Sequence, residues 1–342
     1  MHNLKKLIVR QKNFSRDKKG KLTTEGLPNS WNENYAQSIV KYLNCLEPLF
    51  EKAQKKSEFQ FILTLLRVRG IQGAGEDPYE NSVETIDTLM GLEKKIKSRA
   101  RLNVFLWVYG HIIESSEPYE IIANLLNIRL GQNYRLFNFP FIKIRYGYRP
   151  QYPFEKIKYL EQLATKAQMP SVLEPIKEII DRDLRNAVFH SDYSVSFGEV
   201  IINKPRRIYS KAETLTLLNK ALAYHETMKN LIGTYTKSYQ KPKKIKVSPS
   251  FNPDPEARAQ VIVRKNYGVI ALKAAWSKKK IKAGEVIWEI GNYLSYETKM
   301  IRNGQYLLPS NRVKFWNNIL EKIPNPIYGK VVGLVEKYII NR

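Results

Sequence analysis

The 342-residue chain has one cysteine, Cys45, and four histidines. A lone thiol excludes an internal disulfide framework and any zinc site built on several cysteines. It also points to a reducing compartment. Long hydrophobic runs are missing. The longest candidate, Val104 to Ile113, falls well short of the ~20 residues of a membrane span and is interrupted by Gly110 and His111. The basic start, Met1 to Arg10, has no apolar stretch of about 7–15 residues behind it, so a secretory signal is not expected. The glycine run Gly70-Ile71-Gln72-Gly73-Ala74-Gly75 lacks the Gly-Lys-Ser/Thr ending of a phosphate loop. No Ser-His-Asp order, dinucleotide-binding glycine pattern or kinase signature set occurs. Together these absences predict a soluble cytoplasmic protein with no membrane segment, no cofactor and no metal.

Acidic residues are scarce. Asp and Glu number 32 against 57 Lys and Arg, for a net charge of +25. Such an excess attracts nucleic acid through phosphate neutralisation and counterion release. Much of it sits in two blocks. Residues 1–22 hold eight basic residues against Asp17 alone, with Lys18-Lys19-Gly20-Lys21 reading as a mobile loop. Residues 241–282 hold twelve against Asp254 and Glu256. This is the pattern of basic arms around a folded body. Residues 133–154 mix aromatic and basic side chains with three prolines and cannot form a long helix. Two readings of that stretch stand: a surface that stacks bases and holds phosphates, or a long loop whose aromatics pack on helices beneath it. Lys143, Arg145 and Arg149 here, with Lys243, Lys244 and Lys246 further on, are the candidate RNA-binding residues.

Apolar spacing predicts a mainly α protein. Ile39, Tyr42, Leu43, Leu46, Leu49 and Phe50 mark one amphipathic helix, with a kink or break expected at Pro48. A long helix is expected from Asn81 or Ser82 to about Glu114, and another from Pro118 to Leu130, stopped by Gly131. Glu155 to Lys166 is helical again. Ser171-Val172-Leu173-Glu174 has capping-box spacing and opens a helix ending near His190. Val200–Ile202 and Arg207–Tyr209 flank Asn203-Lys204-Pro205 as a hairpin. Ser210 and Glu213 form a second capping box, opening a helix to Tyr235. Residues 237–258 read as a basic, Pro-rich linker. The rest is a small α+β unit, with strands at Val261–Val263 and Gly268–Ala274 and helices at Val313–Ile323 and Val331–Ile340. The expected organisation is a basic arm (1–30), a helical domain (31–236), a linker (237–258) and a C-terminal α+β domain (259–342).

The chemistry concentrates in Leu184-Arg185-Asn186-Ala187-Val188-Phe189-His190-Ser191-Asp192-Tyr193. Asn186 and His190 are four apart and share a helix face, so the amide can orient the imidazole. Arg185 lies about 140° around an ideal helix from His190. Two copies facing each other across a dimer would bring the two together. Histidine titrates near neutrality and serves as acid or base. Arginine stays charged and offers a planar fork to phosphate oxygens. The bland alternative is a solvated helix end, where a cationic side chain suits the dipole. His111 with Glu114 lacks a third metal ligand. His225 fits a core or boundary position, and Cys45 a buried structural thiol.

The Arg-Asn-x3-His ending of an amphipathic helix resembles the HEPN family, an all-helical domain of prokaryotic RNA-cleaving toxins and defence proteins. The resembling body is roughly residues 31–236. The resemblance implies a HEPN-like helical bundle with a small β-hairpin after the motif helix, and a homodimer with a composite site. It also implies metal-independent endoribonuclease activity by 2′-OH attack, leaving a 2′,3′-cyclic phosphate. Arg185, Asn186 and His190 would be the catalytic set, with RNA as substrate and an antitoxin or defence partner. Glu84, Asp87 and Glu114 are eligible as the acidic residue many members carry near the site. Some members carry an AMP-modified Tyr two residues after the His; here that position is Asp192, and Tyr193 follows one later. The alternative function is a non-catalytic RNA- or nucleotide-binding module acting as a scaffold.

Overall fold

The computed structural model describes residues 15–16, 22–23, 33–67, 78–92, 95–96, 98–135, 138–145, 147–249, 254–264, 267–275, 285–286 and 307–308. The expected mobile loop at Lys18–Lys21 and the expected helices at 313–323 and 331–340 lie outside them. The described chain is mainly helical with small antiparallel sheets. In order, it runs β1 (Ser15–Arg16), β2 (Leu22–Thr23), α1 (Glu33–Lys56), α2 (Glu58–Arg67), α3 (Pro78–Leu92), α4 (Ser98–Glu114) and α5 (Ser116–Arg129). Then come β3 (Ile142–Ile144), β4 (Gly147–Arg149), α6 (Pro153–Lys166), a 3₁₀ turn (Pro170–Leu173), α7 (Glu174–Ile179) and α8 (Arg182–His190). The three-stranded sheet β5 (Tyr193–Ser196), β6 (Glu199–Asn203) and β7 (Arg206–Tyr209) precedes α9 (Lys211–Ser238). A second such sheet has β8 (Lys243–Lys246), β9 (Arg258–Arg264) and β10 (Gly268–Ala275). The short pair β11 (Glu285–Val286) and β12 (Leu307–Leu308) follows.

The helices form where the apolar stripes lie, but their ends differ from the periodic reading. α1 runs unbroken through Pro48. Proline removes one backbone bond there, yet Leu46, Leu49, Phe50 and Ala53 on both sides of it are fully buried, and that burial outweighs the loss. The long helix expected to end near Glu114 is two helices, α3 and α4. It opens at Pro78, whose missing N–H costs nothing at a helix start. Gly91 weakens the end of α3, and a Cβ there would meet nothing within 4 Å. Gly131 ends α5 as expected: it has φ +75°, and the Gln132 N–H reaches back to the Asn127 carbonyl at 2.8 Å. Ser210 and Glu213 cap α9 reciprocally, at 3.2 and 2.8 Å.

Ser171 caps nothing. Pro170 and Pro175 turn that segment into the 3₁₀ turn, and α7 begins at Glu174. A single helix to His190 is likewise not formed. The chain leaves helical geometry at Ile180 (ψ 113°) and Asp181 (ψ 112°), and Asp181 caps a fresh helix, α8. The hairpin after the motif helix gains a strand, β5, paired with β6 from Tyr193↔Ile202 to Ser196↔Glu199. The 133–154 segment contains the hairpin β3–β4, and Tyr134 and Phe139 within it are buried.

The chain divides into two compact units. The first comprises 1–52, 79–126 and 139–235; the second comprises 53–78, 127–138 and 236–342. The second unit is not the contiguous 259–342 segment, because α2 packs against β8 and β10. Gln60 of α2 accepts the Tyr134 N–H at 2.7 Å and donates to Ser248 at 3.2 Å. Residues 237–258 are not a linker throughout. Lys237 and Ser238 end α9, and β8 pairs with β9 because Ile245 and Val247 alternate with lysines and bury.

Candidate functional site

The site grows from the break between α7 and α8 in the first unit. The Asp181 carboxylate accepts the Asp183 and Leu184 N–H groups, both at 3.0 Å, so the first turn of α8 is capped from its own chain. The same oxygen accepts the buried Tyr209 hydroxyl of β7 at 3.0 Å, and the other oxygen faces Arg207 at 3.3 Å. Tyr109 of α4 spans the break: its hydroxyl donates to the Ile179 carbonyl at 3.0 Å and accepts the Asp181 N–H at 3.1 Å. Burial pushes the Tyr109 and Tyr209 hydroxyls above the ordinary phenol range, with Asp181 acting in the same direction on Tyr209, so both remain protonated donors. One residue on, Gly110 lets α8 approach. A Cβ there would stand 3.0 Å from the Phe189 ring and 3.3 Å from Val188.

α4 thus sets α8 in place, and one turn later it supplies Glu114. The Arg185 guanidinium donates to Glu114 Oε1 through Nε, forms an ion pair with that same oxygen through Nη2, and donates through Nη1 to Asn186 Oδ1 at 2.7 Å. Its carbon lies 5.0 Å from the Phe189 ring centre and 5.7 Å from that of Tyr152. Those rings are themselves about half exposed, at 48% and 50%. Arginine over an aromatic face gains cation–π attraction, about 0.5–2 kcal/mol. Of the three eligible acids, the structure brings Glu114 to Arg185, while Asp87 pairs with Lys229 at 3.2 Å.

Tyr152 connects the motif with the 133–154 segment. Its ring faces Arg149 as well, at 4.3 Å. Arg149 also makes a two-point pair with Glu155 (2.8 and 2.8 Å), while Glu155 Oε2 accepts the Tyr152 N–H at 2.8 Å. The Arg149 hydrogen bond, with the Tyr152 N–H adding to it, lowers the Glu155 carboxyl to about 2. Two arginines, each held by a carboxylate, therefore meet one tyrosine ring.

The other expected residues fall differently. His190 is exposed at the last position of α8, and its ring has no hydrogen-bond partner among the described residues. Asn186 is committed to Arg185 and does not orient His190. Asp192 closes the helix end, its N–H reaching the Ala187 carbonyl at 2.9 Å, and its carboxylate accepts from Asn203 at 3.0 Å. Lys143 and Arg145 are exposed on the β3–β4 hairpin. Lys243 pairs with Glu58 at 2.6 Å in the second unit, where Lys244 and Lys246 are exposed. His111 contacts Ser82 at 2.9 Å through Nε2. His225 is buried, and Cys45 is half-buried with its thiol 4.0 Å from Glu174. No cluster of three His, Cys, Asp or Glu suited to a metal occurs among the described residues, and no helix there is long and apolar enough to cross a membrane.

Tyr152 and Phe189 escaped the reading of the motif. The signal for Phe189 was its position four after Arg185, one helical turn on; for Tyr152 it was the aromatic-basic mixture of its segment. Compared with protein-family models, curated proteins and solved structures, the chain matches none.

Proposed function

We propose that this chain is a metal-independent endoribonuclease with a HEPN-like helical body, of the toxin or phage-defence kind. The observation that carries the reading is the state of the Arg185 and His190 side chains on α8. Arg185 is fixed by Glu114, Asn186 and two aromatic rings, while His190, five residues on, stands exposed with its ring unengaged among the described residues. A guanidinium held this way keeps N–H groups on both terminal nitrogens for phosphate oxygens, because its hydrogen bonds to Glu114 and Asn186 use two of its five donors. The half-exposed Tyr152 and Phe189 rings suit unpaired bases, which stack on aromatic faces.

In the reaction, a base removes the ribose 2′-OH proton and the oxygen attacks the adjacent phosphorus. The P–O5′ bond breaks, and the leaving oxygen takes a proton. The products are a 2′,3′-cyclic phosphate and a 5′-hydroxyl. His190 supplies the proton transfer and Arg185 stabilises the charge on the phosphoryl oxygens. Their angular separation on one helix favours a homodimer in which the two motifs face each other. A second reading, a non-catalytic RNA-binding module, is favoured by one observation: the Arg185 side chain is only 14% exposed and already neutralised by Glu114.

The test is cleavage of a mixed-sequence RNA in EDTA by the wild type and by His190→Ala, with analysis of product ends. The expected result is a rate about 10²–10⁴-fold lower for the variant and cyclic phosphate ends for the wild type. Equal rates, or a requirement for added metal, would overturn the reading. Binding by both proteins with cleavage by neither would establish the second.

A further inference from the structure

The second unit carries a basic surface that the α8 site does not use. In the sheet β8–β9–β10, Ile245, Ala259, Val261 and Leu272 are buried, on the side that α2 covers. Side chains alternate along a strand, so their neighbours occupy the opposite face. Register places Lys244 opposite Gln260 in one row, and Lys246 opposite Arg258 in the next. None of the three strands contains an acidic residue. Lys244 and Lys246 are exposed, with no ion pair among the described residues. Lys243, on the other side of the strand, is by contrast neutralised by Glu58.

Lys246 and Arg258 are directly opposed like charges, an arrangement that costs about 0.2–1 kcal/mol in a sheet. Arg258 is held in place by the carbonyls of Pro255 (2.9 Å) and Ala257 (3.0 Å), and the Glu256 carboxylate reaches it only at 3.8 Å. An anion lying across the rows would convert the repulsion into attraction. Lys244 and Lys246 stand about 7 Å apart along the strand, close to the separation of successive phosphates in an extended nucleic-acid strand.

We infer that the outer face of β8–β10 is a phosphate-backbone-binding surface for single-stranded RNA, with Lys244, Lys246 and Arg258 as its grips. The inference rests on the proposed function only for the choice of RNA as the polyanion. The experiment uses the full chain, a labelled RNA whose riboses are 2′-O-methylated and cannot be cut, and anisotropy titrations over a range of salt. Lys244→Gln/Lys246→Gln is expected to lower the slope of log K against log salt by about 1.4, about 0.7 for each lost phosphate contact. Its melting temperature should be equal or higher, because the cross-strand repulsion is gone. An unchanged slope and affinity would overturn the inference. So would a variant that merely self-associates, which would assign the lysines to edge-strand protection. Loss of binding to phosphatidylserine vesicles with the RNA slope intact would overturn it in favour of a lipid surface. Cleavage plays no part in the readout, so failure of the nuclease reading is seen separately, in the His190→Ala comparison.

Discussion

Asp181 offers the most direct test of how α8 is placed, and the expected cost follows from its four contacts. Asp181→Ala removes the cap on the Asp183 and Leu184 N–H groups, worth about 1 kcal/mol. It also strands the Tyr209 hydroxyl, which is 2% exposed, at about 1–3 kcal/mol. The Arg207 pair is 3.3 Å long with Arg207 half exposed, and contributes little. The sum is about 2–4 kcal/mol. Tyr209→Phe alone removes one hydrogen bond to a charged acceptor, about 1.5–3 kcal/mol. In the double variant only the loss of the cap remains, about 1 kcal/mol, so the double should cost at least about 2 kcal/mol less than the two singles together. Equilibrium urea unfolding followed by circular dichroism measures all four proteins. Additive single costs, to within about 0.5 kcal/mol, would refute the shared contact as the origin of the cap's strength.

Two further perturbations are decisive in the same way. Burial holds the His225 ring neutral down to about 4 from an ordinary 6.5; Lys229 and His111 push in the same direction while Glu226 and Asp87 oppose, and its Nε2 has no partner among the described residues. Between pH 6.5 and 4 the unfolded chain therefore binds a proton the folded one does not, and stability falls with pH by at most about 3 kcal/mol; His225→Phe should flatten that slope in urea melts at stepped pH, and an identical slope would refute the assignment. Gly268 has φ +86°, and a Cβ there would sit 2.0 Å from the Thr236 carbonyl oxygen. Gly268→Ala should cost more than about 3 kcal/mol, read as lost amide-exchange protection in β9; protection equal to wild type would contradict the close approach.

What could be read from the sequence was what depends on near neighbours. The α1 stripe from Ile39 to Phe50 declares itself through its period, and Ser210 with Glu213 needs only three residues to make its cap. The Asp181 break hid because the apolar stripe from Leu173 to Ala187 continues across it; the sign of it was the Asp-Arg-Asp run, in which a capping carboxylate competes with the helix. Arg185, Asn186 and His190 stood out as residue types in a short string. Which acid meets Arg185 did not, because Glu84, Asp87 and Glu114 have equal claims until α4 is laid beside α8. Tyr152 reaches the same guanidinium from a segment more than thirty residues upstream. The makeup of the second unit was hidden for the same reason: Gln60, Tyr134 and Ser248 meet from three distant stretches.

The scattered makeup of the second unit bears on how the protein is made. Phe59, Phe61, Ile62, Leu63, Leu65 and Leu66 of α2 are all buried in the finished molecule, and α2 packs on β8 and β10. Those strands follow it in the chain by up to about 200 residues. At a synthesis rate of about 5–20 residues per second, the greasy side of α2 leaves the ribosome about 10–40 s before its cover is complete. Throughout that interval it is an open invitation to chaperones and to neighbouring nascent chains.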